Sequence, residues 1–253
     1  MNLLDVSNLT VKYGRHVACS NVSFSVCEGD WLMLAGPNGA GKTTVANAVS
    51  QAVPHKGSVL FNGEPVNELR PAERAKCMGV LSQNYSAAYS FTVEEIVRLG
   101  RYPHSRGAFH SLSGEDMLKI EEAVKKTGLE GLLGRPITEL SGGELQRTFL
   151  AQVFAQDPKL LILDEPANHL DLQYQKQIFE QVGEWLHNPG RAVISIVHDL
   201  SIAKAFGTKA LLMDSGKTVS QGPIGEVLTS EKLDFVYSID VNTWMKNLLS
   251  QWE

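Results

Sequence analysis

Three short stretches of this 253-residue chain carry residue types that can handle phosphate. Gly36-Pro37-Asn38-Gly39-Ala40-Gly41-Lys42-Thr43 fits the pattern G-x-x-x-x-G-K-[ST]. There, glycines let backbone N–H groups turn inward on phosphate oxygens, Lys42 brings a point charge to the β- and γ-phosphates, and Thr43 offers a hydroxyl to Mg²⁺. Asp164 and Glu165 close the apolar run Leu160–Leu163. In a parallel sheet ligands sit at the carboxyl ends of strands, so both acids should face the phosphate loop. Asp164 then suits the Mg²⁺ shell, and Glu165 suits polarising an attacking water.

Ser141-Gly142-Gly143-Glu144 is the third stretch, and two readings of it stand together. Ser-x-x-Glu before an apolar-periodic helix is a capping box, which needs no ligand. A cap alone needs neither glycine, and each costs ~1 kcal/mol against alanine within a helix. Glycines at a helix start let an anion approach the exposed N–H groups closely. On this reading the paired glycines are the part that capping does not explain.

Single residues extend the pattern, each with a plain alternative. Tyr13, ending an early strand, would stack on adenine, or is a sheet-edge aromatic. Gln83 would reach Mg²⁺ and the water, or is a solvated loop amide. His198, after the strand Ala192–Val197, would bond a γ-phosphate, or is satisfied beside Asp199. Asp171 either joins the site or simply caps the helix that follows.

These residues need elements to position them. Short apolar runs at Leu3–Val6, Leu9–Tyr13, Val22–Val26 and Trp31–Ala35 read as strands, the last feeding the glycine loop and a helix near Lys42–Val49. Further strands are expected at Gly57–Asn62 and Gly79–Leu81, with Pro71 at a helix start between them. Thr92 and Ser113 cap helices at Val93–Leu99 and Gly114–Thr127. Leu145, Phe149, Leu150, Val153 and Phe154 mark one face of the helix after Ser141. Then strands Lys159–Leu163, Ala192–Val197 and Ala210–Met213 alternate with helices near Asp171–His187 and Asp199–Phe206, which indicates a mainly parallel sheet. The expected division is a catalytic core with a β subdomain (1–89 and 156–230), a helical subdomain (90–155) and a C-terminal appendage (231–253).

Composition narrows the class. Hydrophobic content of 43% and charged content of 20% fit a globular chain. With 23 basic and 28 acidic residues the formal charge is −5, so bulk charge draws no nucleic acid. The three cysteines, Cys19, Cys27 and Cys77, lack metal-ligand spacing and read as reduced thiols. No apolar run approaches a membrane span, so any membrane role is expected to come through a partner.

The order Tyr13, glycine loop, Gln83, Ser141–Glu144, Asp164-Glu165, Asn168–Asp171, His198 resembles that of ATP-binding-cassette (ABC) ATPases over nearly the whole chain. The resemblance implies a P-loop α/β core with an N-terminal antiparallel β subdomain and an inserted helical subdomain. It implies ATP and Mg²⁺, with Gly36–Thr43 and Thr44 on the nucleotide, Thr43, Gln83 and Asp164 around the metal, and Glu165, His198 and Gln83 at the chemistry. Tyr13 would be the adenine-stacking aromatic and Asp171 the D-loop acid. It further implies a head-to-tail dimer with a second copy, in which Ser141–Glu144 contacts the ATP held by the partner. One departure is Ala167, where many relatives have threonine.

Arg98-Leu99-Gly100-Arg101-Tyr102-Pro103-His104 and Val236–Val241 resemble importer ATPases for iron–siderophore, haem and vitamin B12 complexes. That subgroup implies permease subunits as partners, indirectly a substrate-binding protein, and a peripheral place on the cytoplasmic face of the membrane. Pro103 is also compatible with an ordinary surface turn. The rival expectation is a soluble ABC ATPase without a permease, such as an iron–sulfur assembly component.

Overall fold

The computed structural model of the chain describes residues 2–82, 90–105, 112–168 and 170–252; Gln83 lies outside them. In chain order the elements are β1 (Asn2–Tyr13), β2 (His16–Cys27), β3 (Trp31–Ala35), α1 (Lys42–Val49), β4 (Lys56–Phe61), β5 (Glu64–Pro65), α2 (Pro71–Cys77) and β6 (Met78–Leu81). They continue with α3 (Val93–Leu99), α4 (Gly114–Thr127), α5 (Gly142–Gln156), β7 (Leu160–Asp164), α6 (Leu172–Leu186), β8 (Ala192–Ile196) and α7 (Leu200–Phe206). The chain ends with β9 (Lys209–Asp214), β10 (Lys217–Pro223), α8 (Ile224–Val227), α9 (Ser230–Tyr237) and α10 (Val241–Leu249).

Two compact units divide the chain: Met1–Val66 with Ile194–Glu253, and Asn67–Val193. The boundary falls within β8, all five of whose residues are buried.

In the first unit an antiparallel sheet has the order β2-β1-β4-β5. The two expected strands at Leu3–Val6 and Leu9–Tyr13 are one strand. Its register shifts between Val6 and Leu9, where Asn8 takes φ 54°, a left-handed conformation that asparagine tolerates. This bulge breaks the apolar alternation without ending the strand. In the same unit β3 is buried along its whole length and pairs in parallel with β9, from Leu32–Lys209 to Ala35–Leu212. The Trp31 indole donates to Ser195 Oγ at 2.8 Å, so this buried polar group is satisfied. β9 turns back into β10 through Ser215 (φ 48°) and Gly216 (φ 76°), the two left-handed positions that a tight hairpin requires. Sequence pattern missed β10 because Lys217–Pro223 is polar and nowhere fully buried.

The appendage expected after position 230 consists of α9 and α10. Leu233, Val236 and Val241 are buried, and Asp234 accepts from the Val241 N–H at 2.8 Å.

In the second unit β6 and β7 pair in parallel, from Met78–Leu160 to Leu81–Leu163. Thr92 and Ser113 accept from the Glu95 and Asp116 N–H groups, starting α3 and α4 where their sequences place them. Leu150, Ala151, Val153 and Phe154 of α5 are buried, and Phe154 stacks on Trp185 of α6 with centroids 6.2 Å apart. Full burial of a side chain this large contributes roughly 1.5–3 kcal/mol. Arg191 lies 4.6 Å over the Trp185 ring and pairs with Asp157, which also meets Lys119 at 3.1 Å. Burial pushes the Asp157 carboxyl up, but Lys119 and Arg191 outweigh it and hold the group below its usual range. Among the described residues no helix is long and apolar enough to cross a membrane.

Candidate functional site

The glycine loop follows β3 directly and its backbone is held open by conformations that side chains resist. Gly36 has φ 142° and a Cβ there would collide with the Met213 carbonyl. Gly41 has φ 95° and its Cβ would come within 2.7 Å of the Ala18 carbonyl. Gly41 is the N-cap of α1, which has no side-chain cap and no acid in its first turn. The first four N–H groups of a helix lack partners within it, so this start is shaped to receive an anion. Lys42 is buried, and its ammonium donates to the Gly36 and Pro37 carbonyls at 2.8 and 3.0 Å. Asn38, Gly39 and Thr43 are exposed, while Thr44 is half-buried.

Two other expected residues lie in the same unit. Tyr13 ends β1 and is 49% exposed, leaving a ring face available for stacking. His198 is exposed after β8, and the Asp199 carboxylate beside it accepts from the Ser201 and Ile202 N–H groups at 2.7 and 3.3 Å. One residue that sequence reading did not assign is Tyr237, at the end of α9. Burial raises its hydroxyl pKa, and it hydrogen-bonds to the backbone of Gly36. The only sequence signal was its membership of the Val236–Val241 segment.

The second unit carries the acids and the Ser141 helix. Asp164 is the buried last residue of β7. Glu165 follows at φ 53°, left-handed for a non-glycine residue and therefore strained. Its Oε2 accepts from Asn168 Nδ2 at 2.7 Å, and the Asn168 N–H bonds the Glu165 carbonyl at 3.2 Å. Asp171 caps α6, accepting from the Tyr174 N–H at 3.0 Å, so the plain alternative for it is realised.

At α5 the capping box is complete. Ser141 Oγ accepts from the Glu144 N–H at 3.3 Å, and Glu144 Oε2 accepts from the Ser141 N–H at 2.8 Å and hydroxyl at 2.9 Å. The Ser141 backbone bond chiefly holds the Glu144 carboxyl below its usual pKa. The glycines, however, differ from expectation. A Cβ on Gly143 would sit 2.9 Å from Tyr174 Cδ2, so packing against α6 explains that glycine without any ligand. A Cβ on Gly142 meets nothing within 4 Å. The unexplained glycine is therefore Gly142 alone.

Gln146, assigned no role from sequence, donates to the Pro166 carbonyl at 2.9 Å and ties α5 to the residue after Glu165. Arg147 donates to the Thr127 and Gly128 carbonyls and lies 5.3 Å over the Tyr174 ring.

Residues 19–168 match the profile described as "ABC transporter". The chain belongs to the ABC transporter family. It is 35% identical over 241 residues to the iron(3+)-hydroxamate import ATP-binding protein of Bacillus subtilis (strain 168), covering 95% of this chain and 89% of that one. It is 37% identical over 239 residues to the ABC transporter ATP-binding protein YvrA of the same organism, covering 94% of this chain but spanning only 54% of that protein. Among solved structures, a subunit of a metal-chelate type ABC transporter in an inward-facing conformation superposes with a TM-score of 0.81 at 25% identity, over 94% of this chain and 90% of that one.

The cassette is an ABC transporter ATPase, coupling ATP hydrolysis to transport. Its architecture, an antiparallel N-terminal sheet plus a mixed, mainly parallel sheet with helices, is that of the family. Solved cassettes of the family form dimers.

Proposed function

We propose that this cassette energises uptake of a metal chelate of the iron–siderophore, haem or cobalamin type. It would act through a separate permease, on whose cytoplasmic face it docks as a peripheral subunit. The observation that carries this reading is the 35% identity to the hydroxamate import protein, over 95% of the chain. It is supported by hemin import ATP-binding proteins at 37% and 34% identity and a ferric enterobactin transport protein at 32%. Leu99 and Tyr102, 47% and 77% exposed, offer apolar surface to a permease on the segment that resembles this subgroup.

In this reading Gly36–Thr43 cradles the triphosphate, with Lys42 on the β- and γ-phosphates and Thr44 completing the loop's contacts. Tyr13 stacks on adenine, and His198 bonds the γ-phosphate. Glu165 orients and polarises the attacking water, its strained backbone aiming the carboxylate. The oxygen donors Thr43 and Asp164, with Gln83, fit Mg²⁺, a hard cation that takes its other ligands from phosphate and water and would neutralise charge on the phosphates. Ser141–Glu144 addresses the ATP held by a second copy of the chain, and Asp171 lies in the intervening loop.

Uptake assays decide between chelates. Deleting the gene should abolish accumulation of one radiolabelled ferric siderophore, haem or cobalamin, and the cassette should co-purify from detergent extracts with a polytopic membrane protein. Stable assembly with soluble proteins alone, and unchanged uptake of all these chelates, would reject the reading in favour of a permease-free ATPase.

A further inference from the structure

The segment after α3 has two unlike faces. Tyr102 is 77% exposed, whereas Arg101, beside it, is 4% exposed. Arg101 Nε donates to Asp116 Oδ1 at 2.8 Å, which anchors it to α4. Its Nη1 donates to the Ala155 carbonyl at 2.8 Å. His104, at the end of the turn Tyr102–His104, bonds the Gln156 carbonyl through Nε2 at 2.9 Å. A carbonyl oxygen can only accept, so Nε2 must carry the proton in this contact.

Ala155 and Gln156 are the last residues of α5, where carbonyls lack helical partners and the helix dipole favours cationic donors. Gly100 completes the grip: a Cβ there would collide with the Gln152 carbonyl and come within 3.0 Å of the Gln156 nitrogen. The backbone of this segment therefore lies directly on the last turn of α5. From the other side the Gln156 side chain donates to the carbonyls of Ala75 and Met78. Burial lowers the His104 pKa, although the bond to the Gln156 carbonyl pulls the other way.

We infer that Gly100–His104 is a clasp on the carboxyl end of α5, with Arg101 and His104 as positioning residues that set where Ser141 and Gly142, at its amino end, present themselves. A helix of 15 residues is about 22 Å long and internally hydrogen-bonded, so displacement of one end carries the other with it. Load placed on the exposed Tyr102 thereby reaches the Ser141 end without passing through the loop around Glu165. This inference rests on the reading that Ser141–Glu144 engages the ATP of a second copy.

The test uses the full chain carrying Glu165→Gln, so that ATP-bound dimers persist. Arg101→Met and His104→Leu remove the donors, while His104→Gln keeps one. Sedimentation at increasing protein concentration reads dimer formation with ATP, and a fluorescent ATP analogue at concentrations below dimerisation reads binding to the single chain. Removing either donor should raise the concentration for half-dimerisation by ~10-fold, as expected for about 1.4 kcal/mol of lost positioning. Single-chain nucleotide affinity should stay within about twofold on the same scale, and His104→Gln should restore dimerisation. Should Arg101→Met not fold, the two His104 variants carry the comparison.

Unchanged dimerisation in variants of a parent that dimerises normally would overturn the clasp alone. Equal loss of nucleotide binding and dimerisation, with a fall in Tm, would also overturn it by showing general damage to the fold. A parent that forms no dimer with ATP would instead overturn the trans role of Ser141–Glu144, and the clasp with it.

Discussion

Two helix starts in this chain are read as phosphate sites, and they are built in opposite ways. α1 begins behind Gly41, with no side-chain cap and no acid in its first turn. α5 begins behind Ser141, with a closed capping box and Glu144 in its first turn. Both helices start with the same shortage of partners for N–H groups. At α1 Lys42 folds back onto the carbonyls of Gly36 and Pro37, and the N-cap, Gly41, has no side chain to cap with. At α5 the protein has already satisfied the Glu144 and Ser141 N–H groups internally. The first start carries no capping side chain and suits the nucleotide a cassette keeps in its own loop. The second is stable alone and suits a contact made and released in each cycle.

The largest break in that comparison should come from α1. Lys42→Ala removes the cation from the loop, and ATP turnover should fall ~10²-fold or more, the scale set by deleting one charge-stabilising donor at a reacting phosphate. Phosphate release by purified protein measures it; turnover within tenfold of the parent would mean that the loop is not the reacting site. Next is Glu165→Gln, expected to slow hydrolysis by ~10²-fold or more while leaving ATP-dependent dimers intact. Near-normal turnover in that variant would remove Glu165 from the chemistry.

Exchanging the neighbouring glycines sharpens the picture at α5. Gly143→Ala should destabilise the fold by about 1–3 kcal/mol, because the added methyl meets the Tyr174 ring. Tyr174→Ala should absorb part of that loss, giving a non-additive double-mutant cycle. Gly142→Ala has open space and a helical backbone, so Tm should hold or rise with alanine's better helix propensity. ATP-dependent dimerisation should nonetheless weaken, by ~10-fold in concentration. Chemical denaturation and sedimentation separate the two effects. A Gly142→Ala protein that dimerises normally would leave the motif as a cap and a packing contact.

The same residues show what sequence could and could not reveal. Thr92, Ser113 and Ser141 announce helix starts locally, because a cap is written within four residues of chain. The glycine loop is legible for the same reason, with the strand before and the helix after it adjacent in sequence. The reason for Gly143 was not legible, since Tyr174 belongs to another helix and only folding brings the two together. Tyr237 against Gly36 joins nearly opposite ends of the chain, and no local spacing encodes that bond. β10 escaped notice because its partner β9 and its hairpin hold a strand whose residues have little apolar signal. Sequence therefore names candidate residues, and structure shows that the fold already employs some of them, as Gly143 against Tyr174 and Asp171 at the start of α6.

A third helix start supplies the control with the smallest expected effect. α4 carries the same box as α5: Asp116 Oδ2 accepts from the Ser113 N–H at 2.9 Å and hydroxyl at 2.7 Å, and Ser113 Oγ accepts from the Asp116 N–H at 3.1 Å. The Ser113 hydroxyl, with help from Arg101, lowers the Asp116 carboxyl to about 2 from 3.8. A carboxyl depressed on folding adds stability that is fully present above its unfolded pKa and is lost as pH falls through its folded value. Asp116→Asn should therefore flatten acid destabilisation between pH ~4 and about 2, measured by denaturant midpoints at each pH. Ser113→Ala and Ser141→Ala should each cost about 1 kcal/mol as ordinary cap losses. Ser141→Ala should also weaken ATP-dependent dimers, and more than Ser113→Ala, which reaches them only through Asp116 and Arg101. Equal effects on dimers from both serines would erase the distinction between a helix start that serves the fold and one that also serves a second copy.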